Sequence, residues 1–267
     1  MSGSFDEGLG HWNPSKAWGQ NYLINPGVIE KIVDLIPKST VPVIEIGSGR
    51  GALTTALLAR GFQVVAIEPH RESCAFLTHQ FGSDPRFSLL EEDATQLDFS
   101  TLTGDGPAAV VGNLPYCVAA RILFALIRTA RSGSPWVLMF QREVAQRIVS
   151  EPHSREYGLL SVVSQLAAEC TLCFHVSPGS FSPAPKVTSS VVQFTPFSDR
   201  DVDWDALSVW LNRIFSLRRK QMGNILGSVL SREQFEDLKL NPPFSLQDRP
   251  EQLSPTDHLA LFTRYRP

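Results

Sequence analysis

Apolar residues along this chain switch repeatedly between short solid runs and helical spacing, which predicts an α/β protein. Val28, Ile29, Ile32, Val33 and Ile36 form a helical stripe behind Asn25-Pro26, an N-cap followed by a first-turn proline, and the stripe ends at Pro37. Solid apolar runs predict strands over 41–46, 63–67, 87–90 and 108–111, as in a parallel sheet buried on both faces. A helix running through Arg60 follows the first of them. Val118, Ile122, Leu123, Leu126 and Ile127 predict a helix over 118–130, and a strand over 136–140 comes next. Beyond it the pattern gives a charged helical stretch from Gln141, a polar loop at 151–158 and a helix over 159–167. Strands at 170–176 and 188–194 complete this part. From Trp204 onward the spacing is helical throughout. The break falls around 196–202, which divides the chain into residues 1–198 and a small all-helical unit, 199–267.

Composition narrows the class. The chain has 267 residues, 43% of them hydrophobic and 19% charged, an ordinary balance for a globular protein with a sizeable core. No apolar run approaches the length of a membrane span. The first fifteen residues hold no Lys or Arg and no apolar block, so no secretory signal or presequence is expected and a cytoplasmic location fits. Four cysteines make no disulfide framework. Cys170 and Cys173 form a lone CxxC in a strand-like setting, which favours buried thiols over zinc; no metal is expected. The net charge of −3 argues against a nucleic-acid partner, but its distribution does not. Residues 1–110 hold 7 basic and 13 acidic side chains, 111–198 hold 7 and 4, and 199–267 hold 10 and 10. The positive excess begins at residue 111.

Candidate chemistry lies at the ends of the predicted strands, where open α/β sheets bind ligands. Gly47-Ser48-Gly49-Arg50-Gly51-Ala52 links a strand to a helix N-terminus, a turn whose backbone N–H groups can approach a ligand closely. The next strand ends at Glu68, which can accept from ribose hydroxyls, and the third leads to Asp93, which can accept from an adenine amino group. Such glycines also simply join strands to helices, and both acids could be solvated caps. The spacing also permits a nicotinamide dinucleotide, but a dehydrogenase leaves two other stretches without a use. One is Asn113-Leu114-Pro115-Tyr116, where an amide oxygen, a backbone carbonyl and a flat ring suit an exocyclic amino group on an aromatic base. Its plain alternative is an Asx-Pro turn before a helix. The other is Phe181-Ser182-Pro183-Ala184-Pro185-Lys186-Val187, whose prolines can present Phe181 at a fixed place, or merely plug a connection with an aromatic ring.

These stretches together resemble the ribosomal RNA adenine N6-dimethyltransferases of the KsgA type, over roughly residues 16–266. The resemblance rests on Gly19-Gln20-Asn21-Tyr22-Leu23, Glu45 through Thr54, Asn113 through Tyr116, Phe140-Gln141-Arg142-Glu143-Val144-Ala145 and Phe181 through Val187. In the tail, Phe215 through Lys220 and Arg249-Pro250-Glu251-Gln252-Leu253-Ser254 resemble small-subunit rather than large-subunit enzymes. The resemblance implies a Rossmann-like S-adenosylmethionine-dependent methyltransferase domain with a small C-terminal helical domain. It implies S-adenosylmethionine held by Gln20, Asn21, Leu23, Gly47, Gly49, Glu68, Asp93, Ala94 and Asn113. Asn113, Leu114, Pro115 and Tyr116 would form the base site, with Phe181 stacking on the base's other face. Read from the residues rather than the resemblance, Arg142, Arg147, Lys186, Arg218, Arg219 and Lys220 could touch rRNA phosphate, though a solvated surface is the commoner use of such charges. The implied partner is small-subunit rRNA or an immature small subunit, the implied product dimethylated adjacent adenosines, and the implied assembly a monomer. A large-subunit enzyme of the antibiotic-resistance type and a mainly non-catalytic assembly factor are the alternatives. The chain departs from the family pattern at Trp18, at His70, where an acid is common, and at Cys117-Val118-Ala119.

Overall fold

In a computed structural model, the described residues are 21–38, 42–103, 108–129, 135–197 and 201–265. Seven strands form one sheet. They are β2 (Val43–Ile46), β3 (Val64–Ile67), β4 (Phe87–Leu90), β5 (Ala109–Asn113), β6 (Trp136–Gln141), β7 (Ala168–Val176) and β9 (Ser189–Pro196), in the order β4-β3-β2-β5-β6-β9-β7. Pairing is parallel from β4 to β6, whereas β9 runs antiparallel to both β6 and β7. Two further strands, β1 (Tyr22–Leu23) and β8 (Phe181–Ser182), make a separate antiparallel ribbon. The pattern of apolar residues foreshadows each long strand to within three residues at either end. The ribbon is not foreshadowed, because two-residue strands have no period to read.

Alternate residues of the strands feed two apolar layers. Val43, Ala109, Val111, Val137 and Met139 face α1 (Pro26–Asp34) and α2 (Ala52–Ala59), where Ile32, Val33, Leu53 and Leu57 are buried. Asn25 caps α1 as expected, its side chain accepting from the Val28 N–H at 3.2 Å. Ile44, Ile46, Val110, Leu138 and Phe140 face the other way, toward α5 (Ala119–Thr129), α6 (Arg142–Val149) and α7 (Leu159–Ala167). α3 (Arg71–Phe81) precedes the edge strand β4, and the short α4 (Ser100–Thr103) precedes β5. Cys170 packs into the second layer and Cys173 into the first, so the two thiols of the CxxC lie on opposite sides of the sheet.

The C-terminal segment is helical: α8 (Trp204–Phe215), α9 (Met222–Val229), α10 (Arg232–Leu240) and α11 (Pro255–Tyr265). Asp203 caps α8 through the Ala206 N–H, and Ser231 with Gln234 forms a capping box on α10. Among the described residues, its buried side chains belong to the same apolar cluster as helices of the sheet. Leu207, Trp210, Leu211, Ile214, Leu261 and Phe262 join the same apolar layer as α5, α6 and α7. The sheet and the helical unit expected as separate domains therefore share one continuous interior.

His258 of α11 is fully buried, 5.2 Å from the Phe215 ring. Its Nε2–H donates to the Pro250 carbonyl at 3.0 Å, and its buried Nδ1 has no hydrogen-bond partner among the described residues. A proton on Nδ1 would sit unpaired in an apolar setting, so burial pushes the imidazole down to about 4. The unfolded chain takes up that proton near pH 6.5, so stability present at neutral pH is withdrawn as pH falls from about 6.5 to about 4. Urea unfolding across this range is expected to show the loss, on the order of 3 kcal/mol at most. His258→Gln is expected to flatten it.

Candidate active site

The crossovers leaving β2 and β5 go to opposite sides of the sheet, which opens a crevice beyond their carboxyl ends. The crevice is lined by Asn21, Tyr22, Gly47, Gly49, Glu68, Pro69, His70 and the run Asn113 to Tyr116, around a cavity of about 60 Å³. Its floor is the turn after β2. Gly49 has φ +54°, and a Cβ there would stand 2.8 Å from the Tyr22 ring, so any other residue would displace that ring. The Arg50 guanidinium lies over the same ring, 5.4 Å from its centroid.

Glu68, at the end of β3, ties this floor together. Its Oε2 accepts from the Gly49 N–H at 2.9 Å. Its Oε1 accepts from the His70 N–H at 3.1 Å and lies 2.7 Å from His70 Nδ1, which fixes the tautomer that donates there. A carboxylate has about four lone-pair sites. Among the described residues three are used, which leaves one on Oε2.

Asn113 closes the other wall. Its Nδ2 donates to the Asn21 carbonyl at 2.8 Å, which orients the amide and leaves its Oδ1 as an acceptor. Tyr116 is half-buried, and its hydroxyl meets Ser189 Oγ at 2.6 Å, pinning the ring to the start of β9. Burial raises the phenol, so it stays neutral. Leu114 is 1% exposed: its side chain is core, and only its main chain can serve a ligand. The ribbon accounts for how Asn21 comes to lie here. Pairing of Tyr22 with Ser182 and Leu23 with Phe181, together with a hydrogen bond from the Ile24 N–H to the Ser180 carbonyl, fastens the segment beside the crevice.

Asn21, Gly47, Gly49, Glu68 and Asn113 to Tyr116 thus converge as expected. Others do not. Phe181 is 3% exposed and packs beside Leu23 in the α1–α2 layer, because antiparallel pairing turns both side chains inward; it offers no free face to a base. Leu23 is likewise core rather than lining. Asp93 is exposed, its Oδ1 taken by the Thr95 N–H at 2.9 Å, and Ala94 is buried beneath it; neither lines the crevice. Gln20 lies outside the described residues. Tyr22, Pro69 and His70 were not expected, although each neighbours a residue that was. Arg142, Arg147, Lys186, Arg219 and Lys220 are exposed. Arg218 is different: its Nη2 donates to the Ser154 carbonyl at 3.2 Å, and its Nε lies 3.5 Å from Glu251 Oε2.

A family model described as ribosomal RNA adenine dimethylase matches residues 13–265. Ribosomal RNA small subunit methyltransferase A of Hahella chejuensis is 36% identical over 256 residues, spanning 94% of this chain and 92% of the relative. The protein of the same name from Anaeromyxobacter dehalogenans is 42% identical over 226 residues, spanning 80% and 79%. Among solved structures, a dimethyladenosine transferase from Plasmodium falciparum gives a TM-score of 0.74 at 24% identity, over 91% of this chain and 99% of that one. The 23S rRNA methyltransferase ErmE gives 0.67 at 20% identity with the same coverage. These two likenesses are of fold.

Beneath the floor lies a second acid. Glu45, on β2, is 2% exposed and accepts from the Thr54 hydroxyl at 2.5 Å, a bond that spans the whole glycine turn. Burial pushes its carboxyl up to about 8. The native carboxyl therefore holds its proton where the unfolded chain has released it. Its contribution to stability is complete below about pH 4.5 and is lost as pH rises toward 8. Glu45→Gln keeps an acceptor for Thr54 without the titration. Calorimetry is expected to show it more stable than the parent at pH 8, by up to a few kcal/mol, and nearly equal at pH 5.

Proposed function

This chain belongs to the ribosomal RNA adenine dimethylase family, and from that premise we propose how its crevice divides the work of methylating an adenine. The chain is an S-adenosylmethionine-dependent methyltransferase of the small-subunit rRNA type, as its relatives' names and identities carry. When bound, S-adenosylmethionine supplies an electrophilic methyl group on a sulfonium. Glu68 accepts from the cofactor's ribose through the lone pair left on Oε2, with the glycine turn beside it. That donor set fits the group: a fixed carboxylate and close-approaching backbone line one connected crevice.

Adenine N6 is a weak nucleophile because its lone pair is delocalised into the ring. Asn113 Oδ1 and the Leu114 carbonyl accept its two hydrogens, which fixes the N–H directions and turns the lone pair out of conjugation. Tyr116 supplies the stacking surface, and base–aromatic stacking offsets unstacking of the rRNA by about 1–3 kcal/mol. Phe181 serves from behind, holding the ribbon that carries Asn21. The ammonium formed on N6 is acidic and releases its proton to water, so no general base is assigned. Positioning is the main catalytic device, able to supply up to about 7–11 kcal/mol. The target is a pair of adjacent adenosines in small-subunit rRNA, dimethylated during subunit assembly, by a monomer acting in the cytoplasm.

The observation that carries this reading is the Asn113 amide, oriented by its bond to the Asn21 carbonyl, its oxygen without a partner among the described residues. Asn113→Ala is expected to slow single-turnover methyl transfer to undermethylated small subunits on the order of a hundredfold while rRNA affinity holds, the mark of an interaction realised in the transition state. A parental rate would reduce the amide to a tie for Asn21. Glu68→Ala removes an ionised acceptor, so calorimetric affinity for S-adenosylmethionine is expected to fall at least tenfold. Mass spectrometry of small-subunit rRNA from a deletion strain identifies the nucleotides.

A further inference from the structure

The basic triplet Arg218-Arg219-Lys220 follows α8, where the chain turns toward α9. Its three members are not equivalent. Arg219 and Lys220 are exposed. Arg218 reaches back to the loop between α6 and α7 and to the turn Pro250–Gln252 before α11. We propose that Arg218 is a positioning residue that locks the helical segment onto the sheet, and that Arg219 and Lys220 alone of the triplet meet rRNA phosphate; the second half rests on the rRNA reading above.

Four contacts converge on the same junction. Arg218 Nη2 donates to the Ser154 carbonyl, and the His153 N–H donates to the Glu251 carbonyl at 2.7 Å. The Tyr157 hydroxyl donates to the Leu253 carbonyl at 2.9 Å, and the Tyr157 and Phe215 rings meet edge to face at 6.3 Å. Residues 151–158 are thereby stitched to both the end of α8 and the Arg249–Ser254 stretch. The charge at the centre is costly to disturb. Glu251 Oε2 is buried and has no hydrogen-bond partner among the described residues, so the Arg218 guanidinium 3.5 Å away is its compensating charge. Removing Arg218 strands the carboxylate of Glu251, the more buried of the two. A cleft of about 720 Å³ lies beside this junction, lined by Arg147, Arg155 and Arg218 as well as Glu143 and Glu156. An arginine that merely met phosphate there would gain from losing Glu251. One that locks the segment would lose by it.

That difference in sign is the test. Full-length variants are titrated with undermethylated small ribosomal subunits over a salt series, with S-adenosylmethionine affinity as the check on the sheet domain. Arg218→Ala and Glu251→Gln are each expected to weaken binding roughly tenfold, within the range of indirect coupling, without altering the salt slope. Their combination is expected to be no worse than either alone. Arg218→Lys, which keeps the charge and loses the two-pronged contact, is expected to behave like Arg218→Ala. Arg219→Ala is expected to lower the slope by about one. Tighter binding by Glu251→Gln, a parental Arg218→Lys, or a slope lowered by Arg218→Ala would make Arg218 a phosphate contact and overturn the proposal. An unchanged slope in both Arg219→Ala and Lys220→Ala would instead overturn the rRNA role of the neighbours, leaving the Arg218–Glu251 coupling to stand or fall on its own arms.

Discussion

A single carboxylate, that of Glu68, is bonded at once to the turn after β2 and to the turn after β3. Parallel strands share hydrogen bonds along their length but not beyond their ends, where the chain turns away into helices. Bonding Gly49 and His70 to the same side chain extends the pairing of the two strands past the sheet and gives the crevice a floor of fixed shape. Burial at 3% exposure keeps that bond out of competition with solvent. Tyr22 under Gly49, and Asn21 against Asn113, are placed by reference to this floor.

The sheet was legible because its signals are local. Runs such as Val43–Ile46 and Trp136–Gln141 are buried on both faces and so are apolar without interruption. The glycine turn, Glu68 and Asn113–Tyr116 were legible for a similar reason: strand ends can be located from strands. What escaped depends on pairs far apart in the chain. Nothing near Phe181 announces Leu23 as its partner, so the sequence suggests a ring facing a ligand, whereas pairing turns it to the core. Asp93 follows its strand as Glu68 does, but bonds forward to Thr95, and a local turn of that kind competes with any role in a crevice. Arg218 is indistinguishable from Arg219 in the sequence, since its partners lie far away at Ser154 and Glu251.

The same distinction explains why two predicted domains share an interior. A linker-like stretch near 196–202 and a change to purely helical spacing are real features of the sequence, yet neither shows which face of α8 is covered. Trp210 and Leu211 are covered by the sheet's own helices, α7 among them. An apolar seam of this sort holds two units together but tolerates small rotations. Directional contacts such as Tyr157 with Leu253 and Arg218 with Ser154 fix the angle.

The β1–β8 ribbon joins Tyr22 to Ser182 and Leu23 to Phe181, and beside it the Asn25 amide reaches Ser180, 155 positions on. A chain made from its N-terminus therefore exposes Asn21 and Tyr22 long before Phe181 and Ser182 exist to hold them. The glycine turn, Glu68 and even Asn113 can be in place on a nascent chain, but the wall that orients the Asn113 amide cannot. The crevice is thus completed by one of the last strands of the sheet domain to be synthesised, and an incomplete chain remains without its finished site until that strand emerges.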